Sequence, residues 1–153
     1  MTEINRKAGA MWNGDSRNGS GLISTESQAL FEQPYTHKSR FDGSQVTGTN
    51  PEELIAAAHA ACFSMALAST LKKNGYNPEQ VETTATITLM SENGCNKITD
   101  MYLHVRAYVP ELDEASLENL LPAADEHCPV SNLLGNGLDI KIDAELIQTD
   151  PAP

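Results

Sequence analysis

Between Asn50 and Gly75 lies a segment that leaves the chain little choice of architecture. Asn50 is a good N-cap, Pro51 suits the first helical position, and Glu53 stands where a capping box places its acid. From Leu54 to Lys73 the chain is dense in Ala, Leu and Met, and Asn74-Gly75 supplies a C-terminal stop. About 24 residues rising about 1.5 Å each make a helix roughly 36 Å long. Leu54, Ala57, Ala58, Ala61, Met65, Ala68 and Leu71 keep helical spacing, yet Ala56, Ala60, Phe63 and Ala66 are apolar too. A rod apolar on nearly every side until Lys72 belongs at the centre of a fold, covered on most of its faces.

The flanking segments are short and extended. Lys7 to Trp12 reads as a strand closed by the turn Asn13-Gly14-Asp15, with weaker strands at Leu22 to Ser24, Ala29 to Phe31 and Thr36 to Phe41, the last ended by Asp42-Gly43. After the helix, Val81, Thr83, Ala85, Ile87 and Leu89 share one strand face, as do Leu103, Val105, Ala107 and Val109. Asn93-Gly94 signals a hairpin with a loop longer than two residues. A second helix is capped by Asp113, carries Leu117, Leu120, Leu121 and Ala124 on one side, and should kink or split at Pro122. Cys128-Pro129 ends it, Val130 to Leu134 adds a turn stopped by Gly135, and Leu138 to Leu146 alternates as a final strand. The tail Asp150 to Pro153 is expected to fray. The order is strands, long helix, two strands, kinked helix, strand, which predicts one α+β domain over residues 1–153.

Charge restricts the partners. A net charge of −11 over 153 residues repels phosphate backbones and anionic lipid, arguing against nucleic acid and membrane surfaces. No uninterrupted apolar stretch nears about 18 residues, so no transmembrane helix is expected. The polar start Met1 to Lys7 is unlike a signal sequence, which predicts a cytoplasmic protein. Three cysteines, Cys62, Cys95 and Cys128, are odd in number, widely spread and without a CxxC pair, unlike a secreted disulfide framework or a zinc ribbon. In a reducing compartment they serve as buried filler, metal ligands or redox groups. Cys62, in mid-helix, and Cys128, at a helix end before a proline, are open to either filler or function; Cys95, in a Gly-Cys-Asn loop, reads as a bystander.

The residues around Cys62 narrow the choice. Thr49-Asn50-Pro51-Glu52-Glu53-Leu54-Ile55-Ala56-Ala57-Ala58-His59-Ala60-Ala61-Cys62-Phe63-Ser64-Met65-Ala66-Leu67 closely resembles the signature helix of the OsmC/Ohr family of thiol peroxidases, in its OsmC branch. Ala10 to Asp15, Ser24 to Ser27, Gln33 to Tyr35 and Ser39 to Gly43 resemble that branch's N-terminal half, and His127-Cys128-Pro129-Val130-Ser131 resembles its second cysteine motif. The resemblance implies an OsmC-like fold, an intertwined homodimer, and reduction of organic hydroperoxides. It makes Cys62 the peroxidatic thiol, Cys128 the resolving thiol, Arg40 the active-site arginine and Glu52 the acid that holds it. It also implies a lipoyl-type or other small dithiol as reductant, and the cycle requires no metal, flavin or haem cofactor.

The chemistry asks for these residue types. Only a thiolate attacks a peroxide oxygen usefully, and a mid-helix cysteine gains little from the helix dipole. A local cation is therefore needed, and a guanidinium held in a bidentate pair supplies charge and hydrogen bonds to the developing alkoxide. Away from Cys62, Arg40 would be a solvated strand residue and Glu52 a partner of its helix's N-terminus. Glu52 and Cys62 are ten residues apart, roughly 15 Å of rise and about 80° of rotation on a straight helix. That gap predicts a site built from two chains, with an antiparallel partner helix bringing its own Glu52 end to Cys62. Apolar neighbours, Phe63 and Met65 among them, would favour alkyl peroxides. Three alternatives stand beside this reading: a zinc site using Cys62, Cys128, His59 and His127, a dimeric scaffold with a structural bridge, and Arg17 in place of Arg40.

Overall fold

The computed structural model describes residues 1–42 and 47–147. The chain divides into two compact units, Met1–Leu54 and Ile55–Pro153. The expected fraying of Asp150 to Pro153, and Gly43 of the expected turn, lie outside the described residues.

In the first unit, strands β1 (Ala8–Asn13), β2 (Ser20–Thr25) and β3 (Gln33–Thr36) form an antiparallel meander. Trp12 and Tyr35 pack with ring centroids 5.1 Å apart, and the Tyr35 hydroxyl donates to the Met11 carbonyl across the sheet. Gly21 lies beneath that ring; a Cβ there would collide with Tyr35 and with the Met11 carbonyl. Two sequence expectations fail here. Ala29 to Phe31 is not a strand: Gln28 and Glu32 have φ of 60° and 48°, and the Leu30 N–H is taken by Thr25 Oγ1, which folds the segment into a turn. Thr36 to Phe41 is not a strand either. Thr36 caps a short helix, α1 (His37–Phe41), its Oγ1 accepting from the Ser39 N–H while Ser39 Oγ accepts from the Thr36 N–H.

The long helix α2 (Pro51–Lys73) has the predicted limits. Asn50 Oδ1 accepts from the Glu53 N–H at 2.8 Å, but the Glu53 carboxylate takes the Thr49 hydroxyl, so only half of the expected capping box forms. By length and mean hydropathy (1.7) α2 passes as a membrane-spanning helix, although polar residues interrupt its apolar runs; core helices share that composition.

In the second unit, α2 packs its His59, Phe63, Leu67 and Leu71 stripe, spaced four residues apart, into the core. Strands β4 (Gln80–Glu92), β5 (Cys95–Tyr108) and β6 (Asp139–Leu146) form a sheet in the order β4-β5-β6, with β4 antiparallel and β6 parallel to β5. Met101, Leu103, Val105 and Ala107 on the central strand are fully buried. The β4–β5 turn is tighter than predicted: Glu92 pairs with Cys95, leaving only Asn93 and Gly94, both at positive φ (53° and 78°) as a type I′ turn requires. Cys95 thus begins β5 and is exposed. Helix α3 (Glu114–His127) is continuous through Pro122, against the expected split. Pro122 is on the exposed side, while Leu117, Leu121 and Ala124 hold the opposite face in the core. A short helix α4 (Pro129–Leu134) follows, ending at Gly135 as expected.

The expectation that α2 is covered on most sides holds on one flank only. Ala57, Ala58 and Ala61 are exposed, and Met65 is 75 % exposed, so the single chain leaves an apolar flank of this helix open.

Candidate active site

Leu117, Leu121, Ala124 and Cys128 fall at intervals of four, three and four residues, so Cys128 continues the buried stripe of α3 one turn further, and it is fully buried. Cys62 stands next to Phe63 on α2 and is half-buried. The two elements bring the sulfurs together: Cys128 Sγ lies 3.1 Å from Cys62 Sγ, both as free thiols.

The first turn of α4 presents amides to both sulfurs. Cys128 is its N-cap, with its Sγ accepting from the Ser131 N–H at 3.5 Å, and the Val130 N–H hydrogen-bonds to the Cys62 sulfur. Burial nonetheless pushes the Cys62 thiol above 9.0; the Val130 amide works against this and the Cys128 thiol adds to it. Within this unit, therefore, the sulfur is set in contact with its mate, and burial works against its ionisation.

A second constellation sits in the unit Met1–Leu54. Glu52, in the first turn of α2, and Arg40, on α1, form a bidentate pair: Arg40 Nη2 donates to Glu52 Oε1 at 2.6 Å, and Nε donates to Oε1 and Oε2 at 3.0 and 3.1 Å. The Glu52 side chain is 8 % exposed and the Arg40 side chain 37 %, with the Phe41 ring centroid 5.1 Å from the guanidinium carbon. Backbone geometry fixes the pair. Ser39 Oγ donates to the Thr49 carbonyl, Asn50 Nδ2 donates to the Ser39 carbonyl, and Thr49 bridges to Tyr35, so α1 is tied to the start of α2. Arg17 lies in the β1–β2 turn, where its N–H donates to Asp15 Oδ1.

The expected roles of neighbouring side chains shift. Phe63 is fully buried in the core, so of the two apolar residues expected to face a substrate only Met65 is exposed. The four donors of the zinc alternative do not converge. His59 Nε2 is bonded to Ser131 Oγ at 2.8 Å, His127 Nδ1 is bonded to the Ala123 carbonyl, and no group of three metal-ligating side chains occurs among the described residues. In the sequence, Ser131 stands only as the end of the second cysteine motif with no role of its own, and His59 as part of the signature helix and a possible zinc ligand. The available signals were a lone polar residue in the apolar stripe of α2 and a serine three residues after the cap of α4.

The chain is similar to known proteins over most of its length. Residues 42–143 match the family model described as OsmC-like protein. The chain is 44 % identical over 131 residues to Peroxiredoxin OsmC of Escherichia coli, covering 86 % of this chain and 90 % of that protein. It is 32 % identical over 100 residues to the organic hydroperoxide resistance protein OhrB of Bacillus subtilis, covering 63 % of this chain and 70 % of the relative. The crystal structure of that OhrB superposes with a TM-score of 0.72 at 28 % identity, covering 91 % of this chain and 98 % of the other.

Proposed function

Because this chain belongs to the OsmC-like protein family, we propose that it is a thiol-dependent peroxidase, an oxidoreductase that reduces organic hydroperoxides and acts as one domain over residues 1–153. The observation that carries the reading is the 3.1 Å contact between the Cys62 and Cys128 sulfurs. Two thiols this close, one half-buried and one fully buried, need only a small approach to form a bond.

In the proposed cycle the Cys62 thiolate attacks the terminal oxygen of an alkyl hydroperoxide. The O–O bond breaks, the alkoxide leaves and takes a proton as alcohol, and Cys62 becomes a sulfenic acid. The Cys128 sulfur then attacks Cys62, displacing water and closing the disulfide. A small or lipoyl-type dithiol reopens the bridge by exchange and leaves as its own disulfide.

Ionising Cys62 against the effect of burial requires a cation, and the oriented guanidinium of Arg40 is suited to supply it and to donate to the departing alkoxide. The ten-residue spacing of Glu52 and Cys62 on one helix favours a site completed by a second copy of the chain, and the open flank Ala57, Ala58, Ala61 and Met65 offers small residues for close helix approach. A fully active monomer in sedimentation would overturn the two-chain site. The reaction suits a cytoplasmic location, where reducing dithiols persist.

The test is peroxide consumption with an alkyl hydroperoxide and a small dithiol. Wild-type protein should turn over and Cys62→Ser should not; equal rates would refute the assignment.

A further inference from the structure

One buried polar group has no part in the cycle above. His59 stands on α2 one turn before Cys62 and is fully buried. Its Nε2 meets Ser131 Oγ at 2.8 Å, while its Nδ1 is buried without a hydrogen-bond partner. Burial lowers its pKa from 6.5, opposed by the charge of Asp125, and the ring is set in an apolar stripe with one hydrogen bond to compensate it. Leucine in that place would suit the stripe better. A purely stabilising role is therefore a poor account of His59, and what it holds is the better one.

Ser131, 4 % exposed, is the residue whose N–H reaches Cys128 Sγ, and Val130 before it turns its N–H to Cys62. Consecutive amides of α4 thus serve the two sulfurs, and the side chain of the second is tied to α2 by the imidazole. We propose that His59 is a positioning residue for disulfide formation: through Ser131 it clamps the first turn of α4 to α2, so that Cys128 stays aligned on Cys62 after Cys62 is oxidised. The inference rests on the proposed roles of the two thiols.

The step it serves is Cys62–S–OH plus Cys128–SH giving the Cys62–S–S–Cys128 bond and water. The new S–S bond replaces the S–O bond, and the thiol proton leaves on the departing oxygen. Sulfenic acid formation adds an oxygen atom where the sulfurs are 3.1 Å apart, which tends to push α4 away. An anchored α4 keeps the attacking sulfur in line, with the Ser131 N–H directed at it. Without the anchor the sulfenic acid should persist and become open to further oxidation.

Reduced protein is mixed with one equivalent of an alkyl hydroperoxide and quenched over time with a 1,3-dione that traps sulfenic acid, and the products are weighed. Ser131→Ala should slow disulfide formation at least tenfold and lengthen the life of the Cys62 sulfenic acid accordingly, whereas Ser131→Thr should restore the rate. His59→Leu should resolve as slowly as Ser131→Ala yet melt no lower than wild type, and the double variant should be no slower than the slower single one. Should His59→Leu fail to fold, the Ser131 pair decides alone. Disulfide formation at the wild-type rate in Ser131→Ala would overturn the clamp, as would equal slowing of sulfenic acid formation and of its resolution. Wild-type protein yielding neither sulfenic acid nor disulfide would instead refute the roles of the thiols.

Discussion

Closing a bond between Cys62 and Cys128 should stabilise the folded chain, and the size of the effect follows from where the sulfurs stand. They are 66 residues apart in sequence and 3.1 Å apart in space. A disulfide is about 2.05 Å long, so the fold must give by about 1 Å, and both partners already lie against the packed core. Cross-linking removes loop-closure entropy from the unfolded chain, and for a loop of this length the chain-entropy relation gives about 14.6 cal/mol/K, or about 4.3 kcal/mol at 25 °C. Strain in the native state subtracts from this. With a urea dependence of about 2 kcal/mol/M, the midpoint of the oxidised form should lie about 2 M above that of the reduced form. Both forms are compared at one protein concentration, since association also shifts the midpoint, and in a Cys95→Ser background that excludes mispairing. An oxidised form no more stable than the reduced one would show that the fold resists the bond rather than holding its halves ready.

Other outcomes follow from single contacts. Glu52→Gln removes the charged half of the bidentate pair; a charge-assisted bond discounted for the one-third exposure of Arg40 is worth about 1.5 kcal/mol, so kcat/KM should fall about tenfold. Arg17→Ala should leave peroxidase activity intact and Arg40→Ala should not; the reverse pattern would move the cation to the β1–β2 turn. Leu103→Ala, fully buried on the central strand, should destabilise the protein by about 3 kcal/mol in chemical denaturation. On the sheet, the hydrogen bond that His104 donates to Asp143 raises the pKa of His104 above 6.5; burial tends to raise that of Asp143, but bonds from Tyr102 and His104 prevail and lower it. The stability contributed by His104 is thus fully present below pH 6.5 and lost as pH rises through its folded value. Its NMR titration should centre above 6.5 and return towards 6.5 in Asp143→Asn.

Periodicity carried most of the second unit. The four-residue spacing of Phe63, Leu67 and Leu71 and the alternation from Leu103 to Val109 are consequences of burial, and burial selects apolar side chains that sequence displays directly. The misreadings fall where local hydrogen bonds decide. Thr36 to Phe41 has strand-like composition, yet the reciprocal Thr36–Ser39 bonds start a helix. The β4–β5 hairpin looked looser because its far end, Met90 to Lys97, is polar or exposed, and because the pairing slips between Thr88 and Leu89, where Leu89 faces Ile98 and Thr99 is the extra residue. Alternation counted back from Leu103 therefore fails before Met101. At the site, the family resemblance marks Cys62, Cys128, Arg40 and Glu52, and the structure brings the two sulfurs into contact and pairs Arg40 with Glu52; Ser131 closes the second cysteine motif, but nothing in the sequence pairs it with His59. Its role comes from α3 and α4 meeting α2, which only the three-dimensional arrangement supplies.

The most direct test is a thiol count. The reduced chain carries three free thiols, Cys62, Cys95 and Cys128. One equivalent of an alkyl hydroperoxide should yield one equivalent of alcohol, a Cys62–Cys128 linked peptide pair, and a single remaining thiol on Cys95. Survival of all three thiols with the peroxide intact, or loss of Cys95 while Cys62 stays reduced, would contradict it.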